Sequence, residues 1–172
     1  MAAEPLNTFI GAGVLSFKEE GELSYRDFGF VSSFTTTPAV TPKDFMQKRS
    51  GIRSIARHEV VQQDLTIAFV LNEANADNWA LYFMGTQEAG SPYTTVHIMD
   101  RSQVKGALRF VGDNAFGVKC QVDIPDCSLM PGGGPDWLTD DWLGLEIHGV
   151  AFRDLTTGDF GTVLVGITEE VP

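Results

Sequence analysis

The sequence predicts a mainly β fold: two packed antiparallel sheets, a β-sandwich or partial barrel, with one flanking α-helix and long arms. Three observations carry this. Period-two alternation recurs along the chain, only one stretch has helical spacing, and 18 Gly and 8 Pro punctuate the rest. Twelve Phe, three Trp and three Tyr add the aromatic bulk that packs on pleated sheets. With 172 residues, 43% of them hydrophobic, residues 1–172 read as a single domain with a sizeable core.

Residues 1–12 carry no period and read as an N-terminal arm. Leu15 and Phe17 alternate with Ser16 and Lys18 in a short strand that ends at the turn Glu19, Glu20, Gly21, Glu22. Phe28, Phe30 and Ser32 alternate with Gly29, Val31 and Ser33, which predicts a second strand. Residues 35–54 hold two prolines, no sustained period and a cluster of cations, and read as a long irregular loop. Such loops inside a compact domain are usually functional or disordered. The chain is then extended over 55–71, with Val61, Leu65, Ile67, Phe69 and Leu71 in one phase and Gln62, Asp64 and Thr66 in the other.

The helix follows. Trp79, Ala80, Tyr82 and Phe83 form an apolar stripe at i, i+3, i+4 spacing, Asn75 or Asp77 can cap it, and Gly85 is placed to close it. An aromatic stripe of this kind packs a helix onto a sheet. Further strands are expected at about 93–99, 105–111, 116–124, 142–152 and 162–167. In the third of these, Phe116, Val118, Cys120, Val122 and Ile124 take one face and Gly117, Lys119, Gln121 and Asp123 the other. Gly112, Asp113 and Asn114 make a hairpin turn before it, residues 130–135 (MPGGGP) break the chain, and residues 156–159 make another turn.

The net charge of −11 argues against a protein that grips nucleic acid, because neutralising phosphates needs a basic surface. The charge is unevenly placed. Residues 113–172 hold eleven acidic side chains against Lys119 and Arg153, whereas Lys43, Lys48, Arg49, Arg53 and Arg57 cluster with Asp44 as their one acidic neighbour. Such a chain can meet a copy of itself with opposite charges facing; the alternative is two solvated patches. Cys120 and Cys127 make neither a disulfide framework nor a metal pattern. Glu4, with no Lys or Arg before Lys18, does not read as a signal peptide, and apolar runs such as 79–84 are too short to span a bilayer.

No chemistry stands out. His58, His97 and His148 lie on separate expected strands without metal-ligand spacing, and Gly132, Gly133 and Gly134 lack the Lys-Ser/Thr of a phosphate loop. Asp-Phe-Gly at 27–29 and 159–161 lacks every companion motif of a kinase. Asp140 and Asp141 are adjacent, so on a strand they would face opposite ways. The expectation is a non-enzymatic protein without a cofactor.

Three stretches carry a family resemblance: 64–85 (DLTIAFVLNEANADNWALYFMG), 107–125 (ALRFVGDNAFGVKCQVDIP), and 141–154 with 157–161 (DWLGLEIHGVAFRD, TGDFG). They are, in turn, a strand running into a capped helix and closing Gly, a hairpin with an Ile-Pro exit, and a penultimate strand with its turn. Together they resemble the major tail tube proteins of long-tailed bacteriophages, a family related to bacterial secretion tubes. The resemblance implies a structural virion protein of the tail, made in the host bacterial cytoplasm. Hexameric rings would stack head to tail into a hollow tube that conducts genome DNA. Implied partners are other copies of the chain, a tape measure protein and a tail terminator; DNA would pass without specific binding.

On that reading the irregular loop is the natural inter-ring contact, through Lys43, Lys48, Arg49, Arg53 and Arg57. A lumen that lets DNA slide wants neutral or acidic polar faces, and the candidates are Gln62, Asp64, Thr66, Gln121, Asp123 and Glu146. Two other readings stand beside it. One is a single-ring tail terminator or head–tail connector. The other is a β-sandwich module binding carbohydrate or a host surface through Trp137 and Trp142, beside Asp140 and Asp141.

Overall fold

The structure, a computed structural model, describes residues 11–48, 51, 53–113, 119–138 and 140–167. Its elements in chain order are β1 (Gly13–Glu19), β2 (Arg26–Asp27), β3 (Val31–Lys48), β4 (Arg53–Leu71), α1 (Ala76–Tyr82), β5 (Gln87–Glu88), β6 (Thr95–Val96), β7 (Val104–Gly112), β8 (Lys119–Pro131), β9 (Leu145–Ala151) and β10 (Thr162–Ile167). The fold is mainly β, with two antiparallel sheets and one helix, as the alternation predicts. The large sheet runs β2-β1-β7-β8-β9-β4-β3, with β10 beside the first half of β8; β5 and β6 form the small one. No helix among the described residues is long and apolar enough to cross a membrane.

The large sheet curls on itself. Strands β1 and β4 are four steps apart in strand order, yet their buried Phe17 and Phe69 both stack on one ring, Phe28, at 6.0 and 5.3 Å. Phe34 of β3 likewise meets Phe110 of β7 at 5.4 Å. Residues 28–30 stitch the seam between the sheet's two ends. Phe28 N donates to Leu15 O at 3.1 Å, and Phe30 O accepts from Asn72 N at 2.8 Å. The core inside the curl includes Leu15, Ile67, Leu71, Leu108, Ile124, Leu129, Leu145 and Ile147, with Leu81 and Tyr82 of α1 as a lid. Each such side chain contributes about 1.5–3 kcal/mol by leaving water.

This seam corrects one sequence expectation. Phe28 and Phe30 do not share a strand face: Phe28 is fully buried and Phe30 is 79% exposed. Gly29 lies between them at φ +78, a left-handed backbone conformation that breaks the alternation.

Helix α1 starts as expected, with Asn75 Oδ1 accepting from Asn78 N at 2.8 Å. The Asn78 side chain is buried and donates to Phe28 O and Glu73 O, both at 2.9 Å, while accepting from Arg26 Nη1 at 3.0 Å. It therefore ties the helix to the seam. The helix end differs from the expectation at Gly85. The left-handed residue is Met84 (φ +48), and Gly85 donates to Ala80 O while Met84 donates to Leu81 O. Gly85 is needed for a different reason, since a Cβ there would sit 1.8 Å from His97 O.

Strand β8 does not end at Pro125. Its buried positions step from Ile124 to Cys127 and then Leu129, and the register against β7 shifts between Gly106 and Leu108. Pro125 and Asp126 lie in the resulting bulge, where a missing N–H removes no required ladder bond. Before the bulge β8 pairs with β10, and after it with β9, so one bent strand serves both halves of the sheet. Of the expected strand at 93–99, Thr95 and Val96 alone pair, and residues 114–118 of the hairpin turn lie outside the described residues.

Candidate assembly surface

Strands β3 and β4 are 18 and 19 residues long, far longer than the sheet they enter. The last β4–β9 pair is Leu65 with Ala151; from Asp64 outward β4 pairs with β3 alone, from Ala39 opposite Asp64 to Lys48 opposite Arg53. A two-stranded arm of about 30 Å thus projects from the domain. The irregular loop expected at 35–54 is therefore strand over 35–48 and again from Arg53. The sequence misled over 35–48 because neither face of the arm is buried among the described residues, so no hydrophobic period marks β3 there. Pro38 and Pro42 are accommodated because β3 is an edge strand.

Every described arm residue from Ala39 to Lys48 and from Arg53 to Gln63 is exposed. These include Val40, Phe45, Met46, Ile55, Val60 and Val61, with Phe45 at 65%. Among the described residues the outer edge of β3, and the outer edge of β4 from Arg53 to Asp64, hydrogen-bond to no strand. An isolated two-stranded ribbon is marginally stable in water, and open edges with apolar side chains invite another strand.

The expected cationic contact residues lie on this arm. Lys43, Lys48, Arg53 and Arg57 are all exposed, and Arg49 lies outside the described residues. Arg57 Nε donates to Glu59 Oε1 at 2.7 Å, and His58 Nδ1 lies 2.5 Å from Asp44 Oδ1 across the ribbon. At the far end Lys48 is directly opposite Arg53. Like charges facing across a ribbon repel, so this pair favours an anionic partner.

The lumen candidates separate into two groups. In the register of β9, β4 and β3, Thr66 pairs with Val150 and Thr37, Ala68 with His148 and Thr35, and Val70 with Glu146 and Ser33. These rows share the face turned away from the core. Asp64, opposite Ala39, continues it, and Gln62 Nε2 donates to Asp64 Oδ2 at 2.6 Å. No Lys or Arg occurs in these rows. Glu146 Oε1 lies 3.0 Å from His148 Nε2. Gln62, Asp64, Thr66 and Glu146 thus belong to one polar face. Thr35 and Thr37 of that face went unread because they fell in the supposed loop, whereas Ser33 lay in the second expected strand.

Gln121 and Asp123 are placed differently. Gln121 is 1% exposed and donates to Asp123 Oδ2 at 2.6 Å; Asp123 also accepts from Arg109 Nε at 2.7 Å. Arg109 in turn lies over the Tyr25 ring at 4.5 Å. Burial raises the Tyr25 pKa, with the Arg109 charge acting the other way. Gln121 cannot line an open channel, because packing takes it out of solvent, and the Asp123 charge is matched by Arg109. Lys119 Nζ lies 3.4 Å from Asp113 Oδ1 at this end of the sheet.

The remaining candidates are scattered. His97 lies 3.7 Å from Glu88 on the small sheet, apart from His58 and His148 on the large one. Among the described residues no group of three or more His, Cys, Asp or Glu is arranged to hold a metal ion. Cys127 is buried, donates to Gly106 O at 3.3 Å, and has its thiol pKa pushed up to about 12, mainly by burial. Trp137 packs on Trp79, whereas Trp142 is 88% exposed. No family model matches this chain, and no curated protein sequence matches it.

Proposed function

We propose that the chain is a structural subunit that polymerises with its own copies into the tube of a bacteriophage tail, as stacked rings around a channel for genome DNA. The observation that carries this reading is the arm: an exposed two-stranded ribbon with unpaired edges and apolar side chains. Pairing with a neighbouring copy would complete its hydrogen bonds and cover Phe45, Met46, Ile55 and Val60. The polar face with Thr66, Asp64 and Glu146 supports the same reading. It is continuous along three strands and carries no Lys or Arg, and its one histidine, His148, lies against Glu146, so phosphates would slide along it unheld. Lys48 and Arg53 at the arm's far end would relieve their mutual repulsion against an acidic surface, such as the Asp- and Glu-rich second half of another copy.

The test is negative-stain electron microscopy with light scattering over a concentration series. It compares the native chain with a variant in which residues 42–61 are replaced by Asn-Gly. That turn joins Thr41 to Gln62, which already face each other, so the domain keeps its hairpin geometry. Hollow, cross-striated filaments from the native chain and folded monomers from the shortened one are expected. Single rings from the native chain would support the terminator or connector reading instead. Filaments from the shortened chain would remove the arm from the argument.

A further inference from the structure

We propose that the outward face of Trp137 is a stacking site for a neutral sugar ring, independent of the arm. Two rings, Phe83 and Trp137, lie nearly parallel to Trp79 of α1. Phe83 stacks on Trp79 at 5.4 Å and 12° between planes, and Trp79 stacks on Trp137 at 5.0 Å and 4°. Trp79 is half-buried against the core, whereas Trp137 remains 65% exposed. The loop thus presents one largely exposed indole whose orientation is held by its stack on Trp79. The loop bearing it is also tethered: Tyr82 Oη donates to Gly133 O, and Leu138 N donates to Asp136 Oδ1 at 3.1 Å. Tyr82 meets Trp79 edge-on, bracing the middle ring from the helix.

The ligand class follows from the shape and the charge. A cation cage needs aromatic walls at an angle around the charge; these rings are parallel and offer a single plane. A nucleic acid base could stack on that plane, but such sites track the backbone with a basic groove. Here the exposed neighbours in the loop are Asp136 and Asp140, and the chain carries a net charge of −11. A flat exposed indole in a loop that also carries exposed carboxylates suits a pyranose, which has an apolar C–H face and a rim of hydroxyl donors.

The experiment titrates the full chain with three neutral probes (maltohexaose, cellohexaose and chitohexaose) and with heparin hexasaccharide as an anionic control, by ligand-observed NMR and calorimetry. Trp137→Ala and Trp137→Phe are compared, with circular dichroism checking the fold. At least one neutral probe should bind, heparin should not, and Trp137→Ala should weaken binding about tenfold. Trp137→Phe, which keeps a ring on Trp79, should lose less. The proposal is overturned if no neutral probe binds, if heparin binds best, or if the folded Trp137 variants bind like the native chain. A change in self-association without any glycan binding would overturn it too, and would assign the ring to contact with another copy.

Discussion

The same two strands behave differently along their length. Where β4 runs from Leu65 to Leu71 it is flanked by β9 and β3, and Ile67, Phe69 and Leu71 are buried. Where it runs from Arg53 to Asp64 it has β3 alone, and its apolar Ile55, Val60 and Val61 face water. One hairpin thus has a root whose stability is intramolecular and an arm whose apolar surface finds no cover among the described residues. Backbone pairing alone does not make a stable unit; a hydrophobic face and a third strand do. The contrast separates residues needed for folding from those that, on the association reading, would be needed for assembly.

Substitutions can break or sharpen that division. The largest stability effect is expected at the root. Phe28→Ala removes the ring that joins Phe17 to Phe69 and should cost about 3–5 kcal/mol in urea denaturation. A loss below about 1 kcal/mol would mean that the seam is held by backbone bonds and not by this ring. Asn78→Ala comes next. It leaves Phe28 O and Glu73 O short of a donor in a buried setting, at a cost of about 1–3 kcal/mol. Thermal denaturation would check it, and an unchanged midpoint would break the link between helix and seam. The smallest effect on the monomer is expected on the arm, where Phe45→Ala should change stability by less than about 0.5 kcal/mol. On the association reading, the same substitution should raise the concentration needed for filaments in light scattering. A large loss of monomer stability at Phe45 would erase the division between root and arm.

Much of the root was legible in the sequence, because burial on one face writes a period. The phase of Leu65, Ile67, Phe69 and Leu71 was readable for that reason, and the Asn75 cap from its local side-chain chemistry. The strand at 162–167 was readable from its run of β-formers after a turn, although its described side chains are exposed. Where local chemistry admits two outcomes, the reading failed. Pro125 signals the end of a strand or a bulge, and pairing with β9 beyond it decided for the bulge. Gly85 signals a left-handed close or a close approach, and His97 O decided for the approach. The candidate site was half legible. Its cations were visible as a cluster, and Arg57 lay in the stretch read as extended over 55–71, but the strand that carries Lys43 and Lys48 was read as a loop.

The sequence by itself determined that this protein is built from antiparallel strands with one capped helix, because alternation, turn residues and the cap act over a few neighbouring residues. Only the tertiary structure decided that the sheet closes around Phe28, that Gln121 is buried, and that residues 39–64 project as a ribbon. Those outcomes depend on which distant strands meet. Over residues 39–48 the strand meets no third strand or core among the described residues, and it carries no hydrophobic period from which it can be read.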